Sequence, residues 1–263
     1  MSRSESPLAG RAVLVTRPAE QAEGLANRIA QAGGHPILFP ALEIVPPDDV
    51  RQLAHALSTL AEYDLLIFIS PTAVERAWPF ILEHHGGWPA GVALAAVGEG
   101  THRALQRFGA RGVLTPELGA DSESLLALPG LRQMNGKRVL IVRGEGGRDL
   151  LAATLAERGA QVDFAACYRR VRPTTDATSL LAYWRQEGLD AVTVTSREIL
   201  ANLLAMLGEA GQDLLRATPM FVQHERIAES ARAQGVATVI TTPPGEEGLI
   251  AGLLAWYRSA HEQ

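Results

Sequence analysis

Short runs of apolar residues alternate along the chain with longer stretches in which apolar residues recur every three or four positions. The run 12–16 is followed by Ala22, Leu25, Ala26 and Ile29, which fall on one face of a helix. Short apolar runs are typical of buried strands, and the periodic stretches predict amphipathic helices. The first half therefore predicts strands at 12–16, 36–39, 65–69, 92–97 and near 113, and helices after Pro18, at 50–60, from 71, up to 108 and at 122–128.

The same pattern returns 126 residues later. Val13, Arg17 and Ser70 correspond to Val139, Arg143 and Ser196. The second copy predicts strands at 138–142, 162–165, 191–195, 219–222 and 238–241, and a helix at 150–158. A repeat of this length is too long for a solenoid unit, so each copy is predicted to be a domain.

Alternating strands and helices predict a parallel sheet covered on both faces. We therefore expect an α/β protein with two similar, flavodoxin-like, doubly wound domains. The proline-bearing stretches 40–47 and 166–173 occupy the same place in each copy and would form a two-stranded linker. One domain would then combine 1–39 with 174–263, and the other would span 48–165. Two facing lobes would create a cleft, where small-molecule sites are common.

Composition narrows the function classes. The chain has 263 residues, 47% of them hydrophobic and 20% charged, with a net charge of −5 and one cysteine. This charge argues against a general nucleic-acid binder, and one cysteine excludes an internal disulfide framework. Residues 1–10 lack a signal-peptide core and the longest apolar runs are strand-sized, so no membrane span is predicted. We expect a cytoplasmic monomer.

Candidate chemistry lies where the parallel strands end, because helix N-termini there present unpaired N–H groups to anions. The first copy places Thr16, Arg17, Ser70 and Thr72 at such positions. Further candidates are Gly98 and Thr101 in one turn, and Ser196 with Arg197 in the second copy. Ser70 and Ser196 are predicted to cap helices, and contact with an anion is an additional role.

The segment 143–148 combines two arginines with three glycines. Arg143, Gly144 and Arg148 are predicted to form an anion-binding turn, with a plain solvated turn as the alternative. Asp149 stands where a dinucleotide-binding fingerprint needs glycine. The chain has neither a phosphate-loop lysine motif nor a serine-hydrolase elbow, and its histidines are not spaced for a metal. No metal or cofactor is therefore predicted.

Tyr168 lies in the second linker stretch. A phenol with an ordinary pKa near 10 stays protonated at neutral pH, so it can donate a proton to a departing oxygen. Tyrosines more commonly pack at junctions, and that alternative stands beside the catalytic one. Its position favours the catalytic interpretation.

Taken together, these motifs resemble the uroporphyrinogen-III synthase family over nearly the whole chain. The resemblance rests on the duplication and on the order of six segments: 16–18, 68–74, 96–101, 122–126, 143–144 and 168–169. The second copy replaces the Gly-x-x-Thr turn with residues 224–227, so equivalent substrate contacts in both copies do not follow. Thr72 also stands where the family more often has asparagine or glycine.

The resemblance implies two α/β lobes and a reaction without cofactors. The substrate would be hydroxymethylbilane, a linear tetrapyrrole with eight carboxylates, closed to uroporphyrinogen III with loss of water and inversion of the last ring through a spiro intermediate. Tyr168 would be the proton donor. A non-catalytic two-lobed sensor of small anions is the alternative, and formation of the type III product distinguishes the two.

Overall fold

The computed structural model of the chain describes residues 6–119, 121–147 and 149–261. Within these ranges the strands are β1 (Ala12–Val15), β2 (His35–Leu38), β3 (Glu43–Val45), β4 (Leu65–Phe68), β5 (Ala93–Ala96), β6 (Arg138–Gly144), β7 (Gln161–Val171), β8 (Ala191–Val194), β9 (Met220–Val222) and β10 (Val239–Thr241). The helices are α1 (Ala19–Gln31), α2 (Val50–Ser58), α3 (Pro71–His85), α4 (Glu99–Arg107), α5 (Ser122–Leu126), α6 (Leu150–Glu157), α7 (Thr178–Gln186), α8 (Arg197–Ala217), α9 (Glu225–Ala233) and α10 (Gly245–His261).

The strands form two five-stranded sheets. The first has the order β10-β9-β8-β1-β2, and all its neighbouring strands are parallel. The second has the order β3-β7-β6-β4-β5, in which β7, β6, β4 and β5 are parallel. The predicted mixed α/β fold with parallel sheets is confirmed.

The described residues divide into two compact units. Residues up to Glu43 and from Val171 onward form the first unit, and Ile44–Arg170 forms the second. Each unit contains one of the sheets. The exceptions are Glu43, the first residue of β3, and Val171, the last residue of β7, which belong to the first unit.

Helices cover both faces of the second sheet, which explains its continuous apolar strands. Leu66 and Phe68 of β4 contribute to one buried cluster, and Leu65 and Ile67 contribute to the other. Successive side chains of a strand point to opposite faces, so a strand buried on both sides needs no polar alternation. The side chains of α3 fill the first cluster and those of α6 fill the second.

An aspartate fixes the amino-terminal edge of each sheet. Asp64 accepts hydrogen bonds from the Lys137 ammonium and the Arg138 N–H, each at 2.8 Å. Asp190 accepts them from the Arg11 guanidinium at 2.7 Å and the Ala12 N–H at 2.8 Å. Both carboxylates therefore bind the start of the neighbouring strand in the same way.

Two local predictions differ from the structure. The strand predicted near 113 is reduced to a single bridge between Ala95 and Leu114. Gly109 and Gly112 precede it with positive φ, a conformation that does not fit an extended strand. The strand predicted at 162–165 is one part of the longer β7, which runs on to Val171. The first proline-bearing stretch contains β3, the neighbour of β7.

Of the helices in the described ranges, none has the length and apolar character needed to cross a membrane.

Candidate functional site

A pocket of about 380 Å³ lies at the carboxyl ends of β4, β5, β6 and β7 in the second unit. Parallel α/β sheets bind their ligands at this edge. Four residues singled out in the sequence line it, namely Ser70, Arg143, Gly144 and Tyr168. Its other lining residues are Ile69, Val97, Asp121, Ser122, Glu123, Gly146, Gly147, Leu150 and Arg170.

Ser70 joins β4 to α3. Its backbone is extended (φ −150°, ψ 158°), and its hydroxyl accepts a hydrogen bond from the Ala73 N–H at 3.1 Å. Pro71 follows in the first turn, where its missing N–H has no helical partner to lose. The predicted capping role of Ser70 is confirmed, and the cap fixes the hydroxyl at the pocket wall.

The hydroxyl of Tyr168 lies 3.1 Å from the hydroxyl of Ser70, and either group can be the donor. The side chain of Tyr168 is 7% exposed, so its hydrogen bond is shielded from bulk water. The backbone of Tyr168 is held as well, because its carbonyl accepts the Glu145 N–H at 2.8 Å. The phenol is thus fixed at its ring, its hydroxyl and its backbone.

Arg143 is folded back over its own turn. Its guanidinium donates to the carbonyls of Gly146 and Gly144 and lies 3.3 Å from a carboxylate oxygen of Asp149. The guanidinium carbon also lies 4.9 Å from the ring centre of Phe164. Only 11% of the side chain is exposed, so Arg143 organises the glycine-rich turn while lining the pocket.

The pocket carries charges of both signs. Asp121 accepts hydrogen bonds from the side chain and backbone of Ser124, and these hold the pKa of the Asp121 carboxyl below its ordinary value. Arg170 supplies a positive charge to the pocket. It lies two residues after Tyr168 on β7. Arg170 is not among the predicted site residues, although residues two apart on a strand share a face and its spacing from Tyr168 predicts this place.

Three other predicted residues lie in the second unit but do not line this pocket. Thr72 is half-buried in the first turn of α3. Gly98 caps α4 with an extended backbone, and its carbonyl accepts the Thr101 N–H at 3.0 Å. Thr101 is 4% exposed, so its side chain packs inside the fold.

The first unit holds the remaining predicted residues. Thr16 is fully buried and donates to the Thr193 carbonyl at 2.6 Å, which links β1 to β8. Arg17 forms an ion pair of 3.0 Å with Glu246. Ser196 caps α8 by accepting the Ile199 N–H at 3.0 Å, as predicted, and Arg197 is exposed on the first turn of that helix.

The turn 224–227, which departs from the family pattern, still begins a helix. His224 caps α9, and its Nδ1 atom accepts the Arg226 N–H at 3.1 Å. Arg148, predicted to bind an anion, lies outside the described residues. Among the residues that are described, no three His, Cys, Asp or Glu side chains come together in a group that could hold a metal ion.

Comparison with known proteins identifies relatives over most of the chain. Residues 23–251 match the family model described as uroporphyrinogen-III synthase HemD. The uroporphyrinogen-III synthase of Salmonella typhimurium is 36% identical over 225 residues, covering 85% of this chain and 91% of that protein. The Escherichia coli enzyme of the same name is 36% identical over 224 residues, with the same coverage.

Solved structures agree on the fold. A uroporphyrinogen III synthase from Thermus thermophilus has a TM-score of 0.63 at 20% identity, covering 97% of this chain and 100% of that one. The Helicobacter pylori enzyme has a TM-score of 0.53 at 16% identity, covering 94% and 99%. Neither the matched family nor these relatives support the alternative of a non-catalytic sensor.

Proposed function

Because the chain belongs to the uroporphyrinogen-III synthase family, we propose that it closes hydroxymethylbilane to uroporphyrinogen III and that Tyr168 donates the proton in this reaction. The observation that carries the assignment of Tyr168 is its 3.1 Å contact with Ser70 at the wall of the strand-end pocket. A hydroxyl held at a fixed position suits a reaction that must expel a hydroxyl group.

In the proposed first step the phenol gives its proton to the departing hydroxyl, which leaves as water. The electron pair that expels it comes from the pyrrole ring, and loss of the ring N–H proton leaves a neutral azafulvene. That proton can restore the Tyr168 phenol. Ring closure then needs the flexible chain to be held curled, and orientation alone can lower such a barrier by several kcal/mol.

Basic groups are the expected contacts for a substrate with eight carboxylates. We propose Arg143 for this role at the pocket, and retain Gly144, Arg17, Ser196, Arg197, Thr16, Thr72, Gly98, Thr101 and Arg148 as predicted contacts. The ionised Asp121 at the pocket disfavours a carboxylate beside it, because like charges repel at short range. Acidic and basic side chains in one pocket would therefore help to orient the substrate.

We further propose that residues 40–47 and 166–173, where the chain passes between its two units, form a two-stranded linker. The position of β3 beside β7 supports this proposal. The single cysteine supports a reducing, cytoplasmic location, and we propose that the enzyme acts as a monomer on a small-molecule substrate.

The test uses hydroxymethylbilane and separates the type III product from the type I product of spontaneous closure. The unaltered chain should yield type III product faster than type I product forms without enzyme. Tyr168→Phe should lower kcat by roughly 10²-fold or more while changing substrate affinity little, because the hydroxyl acts when the leaving group departs. Unchanged turnover at saturating substrate would assign Tyr168 to packing.

A further inference from the structure

The strand that carries Tyr168 is irregular at that residue. Along β6 and β7 the pairing is regular from Arg138 with Gln161 to Arg143 with Ala166, and then Gly144 pairs with Tyr168. The shift leaves Cys167 as an extra residue in β7. Bulges are rarer between parallel strands, such as β6 and β7, than between antiparallel ones; they bend a strand and re-aim a side chain, and they are common beside active sites.

The irregularity changes the face toward which Tyr168 points. Strict alternation would send Cys167 and Tyr168 to opposite faces of the sheet. Both instead belong to the same buried cluster, together with Ala165. The bulge therefore turns the phenol toward the β4 end of the pocket, where Ser70 lies.

Gly144 supplies the space that the turned ring occupies. A Cβ atom built on Gly144 would lie 2.6 Å from Cε2 and 2.7 Å from Cζ of Tyr168, and 3.1 Å from its hydroxyl oxygen. Contacts below 3.0 Å essentially do not occur at real Cβ atoms, so the ring would have to move. Tyr168 is only 7% exposed, so apart from the pocket that it lines, its ring is enclosed by neighbouring groups.

The backbone of Gly144 does not require glycine. Its φ is not among the positive values that the structure records for glycines such as Gly146 and Gly147. The backbone at position 144 is thus compatible with alanine, and the three atoms nearest to the added Cβ all belong to the Tyr168 side chain. Glycine at position 144 therefore leaves space for the Tyr168 ring, and the backbone conformation there does not depend on it.

We propose that Gly144 is a positioning residue, which with the adjoining bulge sets the Tyr168 hydroxyl at the place where the leaving group departs. This inference rests on the proposed function, because it gives Tyr168 the role of proton donor. It also reassigns Gly144 from a substrate contact to a residue that acts through Tyr168.

The experiment compares Gly144→Ala with Gly87→Ala. Gly87 has no atom within 4 Å of its added Cβ and no positive φ, so it controls for the chemical change alone. Gly144→Ala should lower kcat by about 10²-fold with little change in KM, since a displacement near 1 Å is enough for such a loss. Gly87→Ala should retain wild-type kcat.

A double variant shows whether the effect passes through the hydroxyl. In the Tyr168→Phe background, Gly144→Ala should lower kcat by no more than about a further twofold. The ring still moves, but the hydroxyl that it carries is already absent. An equal, multiplicative loss in both backgrounds would overturn the inference. If Tyr168→Phe is slow and Gly144→Ala is not, the inference fails and the proposed function stands.

A spectroscopic readout locates the ring directly. With tyrosine labelled with ¹³C at Cζ, the Tyr168 resonance is the one that Tyr168→Phe removes from the four tyrosines of the chain. Gly144→Ala should shift this resonance, and Gly87→Ala should not. An unmoved resonance in Gly144→Ala overturns the inference, and wild-type turnover in Tyr168→Phe overturns the proposed function.

If Gly144→Ala does not fold, Tyr168→Leu offers a second test. Replacing the ring by a shorter side chain removes the atoms closest to the added Cβ, so Gly144→Ala with Tyr168→Leu should fold. Failure of this combination, when Tyr168→Leu alone folds, would show that the conflict is not with the ring.

Discussion

The two copies of the internal repeat are more alike at the amino-terminal edge of their sheets than at the carboxyl edge. At the amino-terminal edge, Asp64 and Asp190 bind the neighbouring strand through the same pair of contacts at distances of 2.7 to 2.8 Å. At the carboxyl edge, the two capping serines are alike, with φ and ψ of −150° and 158° at Ser70 and −152° and 159° at Ser196. Beyond these caps the two copies diverge.

The divergence concerns the residues around the phenol. An offset of 126 residues places Pro18 and Leu42 of the first copy where the second has Gly144 and Tyr168. Leu42 is 6% exposed, so the residue at the corresponding position of the sequence is a buried apolar one. Contacts that hold each sheet together are duplicated, and the proposed proton donor with its space is found in one copy.

The largest effect that tests this comparison is expected from the two capping serines. Ser70→Ala and Ser196→Ala each remove one cap, worth about 1 kcal/mol, so both should lower the unfolding temperature by a few degrees. Ser70→Ala should also lower kcat by roughly three- to tenfold, because Tyr168 loses its hydroxyl partner.

Ser196→Ala is the matched control for this measurement. Steady-state kinetics and thermal unfolding of both variants separate the cap from the phenol contact. Equal loss of kcat in the two variants would show that the serines act only through helix stability.

The next effect, on KM and not on kcat, is expected at the glycine-rich turn. Arg143→Ala should raise KM by roughly three- to tenfold and reduce the salt sensitivity of KM, because one positive charge leaves the pocket. It should also lower the unfolding temperature, since the Gly144 and Gly146 carbonyls lose their donor.

Arg143→Lys separates the charge from these hydrogen bonds. Lysine keeps the charge and loses the planar fork, so it should restore the salt sensitivity more fully than the unfolding temperature. A lowered unfolding temperature with unchanged KM in Arg143→Ala would confine Arg143 to holding the turn.

The smallest effect is expected at the amino-terminal edge, where both copies make the same contacts. The hydrogen bond from Lys137, followed by that from the Arg138 N–H, lowers the pKa of Asp64 below its ordinary 3.8. A lowered folded-state pKa stabilises the fold above the unfolded value, and that contribution is lost as pH falls through the folded value. Asp64→Asn should therefore be less stable than wild type at neutral pH.

The stability difference between wild type and Asp64→Asn should close as pH falls below about 3.8, which is the unfolded reference value. Thermal unfolding followed between neutral and strongly acidic pH measures this. The gap should be small even at neutral pH, because 40% of the Asp64 side chain is exposed and water screens the pair. A stability difference that stays constant with pH would contradict the lowered pKa of Asp64.

Most of the strands and helices could be predicted because their signals are local. Apolar runs and helical spacing placed β4 within a residue of its observed bounds and α3 at its observed first residue. The capping serines were predictable for the same reason, since each cap joins two residues that are only three positions apart. Local patterns therefore carried the fold class and the strand-end positions.

The rest depends on neighbours that are distant in sequence. The burial of Thr16 depends on its bond to the Thr193 carbonyl, 177 residues away. The contact between Ser70 and Tyr168 spans 98 residues, and the register shift at Gly144 arises where two strands meet. No local spacing encodes these three features.

The extra residue of the bulge, Cys167, has a practical consequence. It is the single cysteine of the chain, it is only 3% exposed, and its sulfur lies 3.4 Å from the Arg143 carbonyl oxygen. Burial raises the pKa of its thiol to about 12, so almost no reactive thiolate exists at neutral pH in the closed strand. The rate at which a thiol reagent labels the native protein therefore measures how often β7 opens beside Tyr168, without any introduced probe.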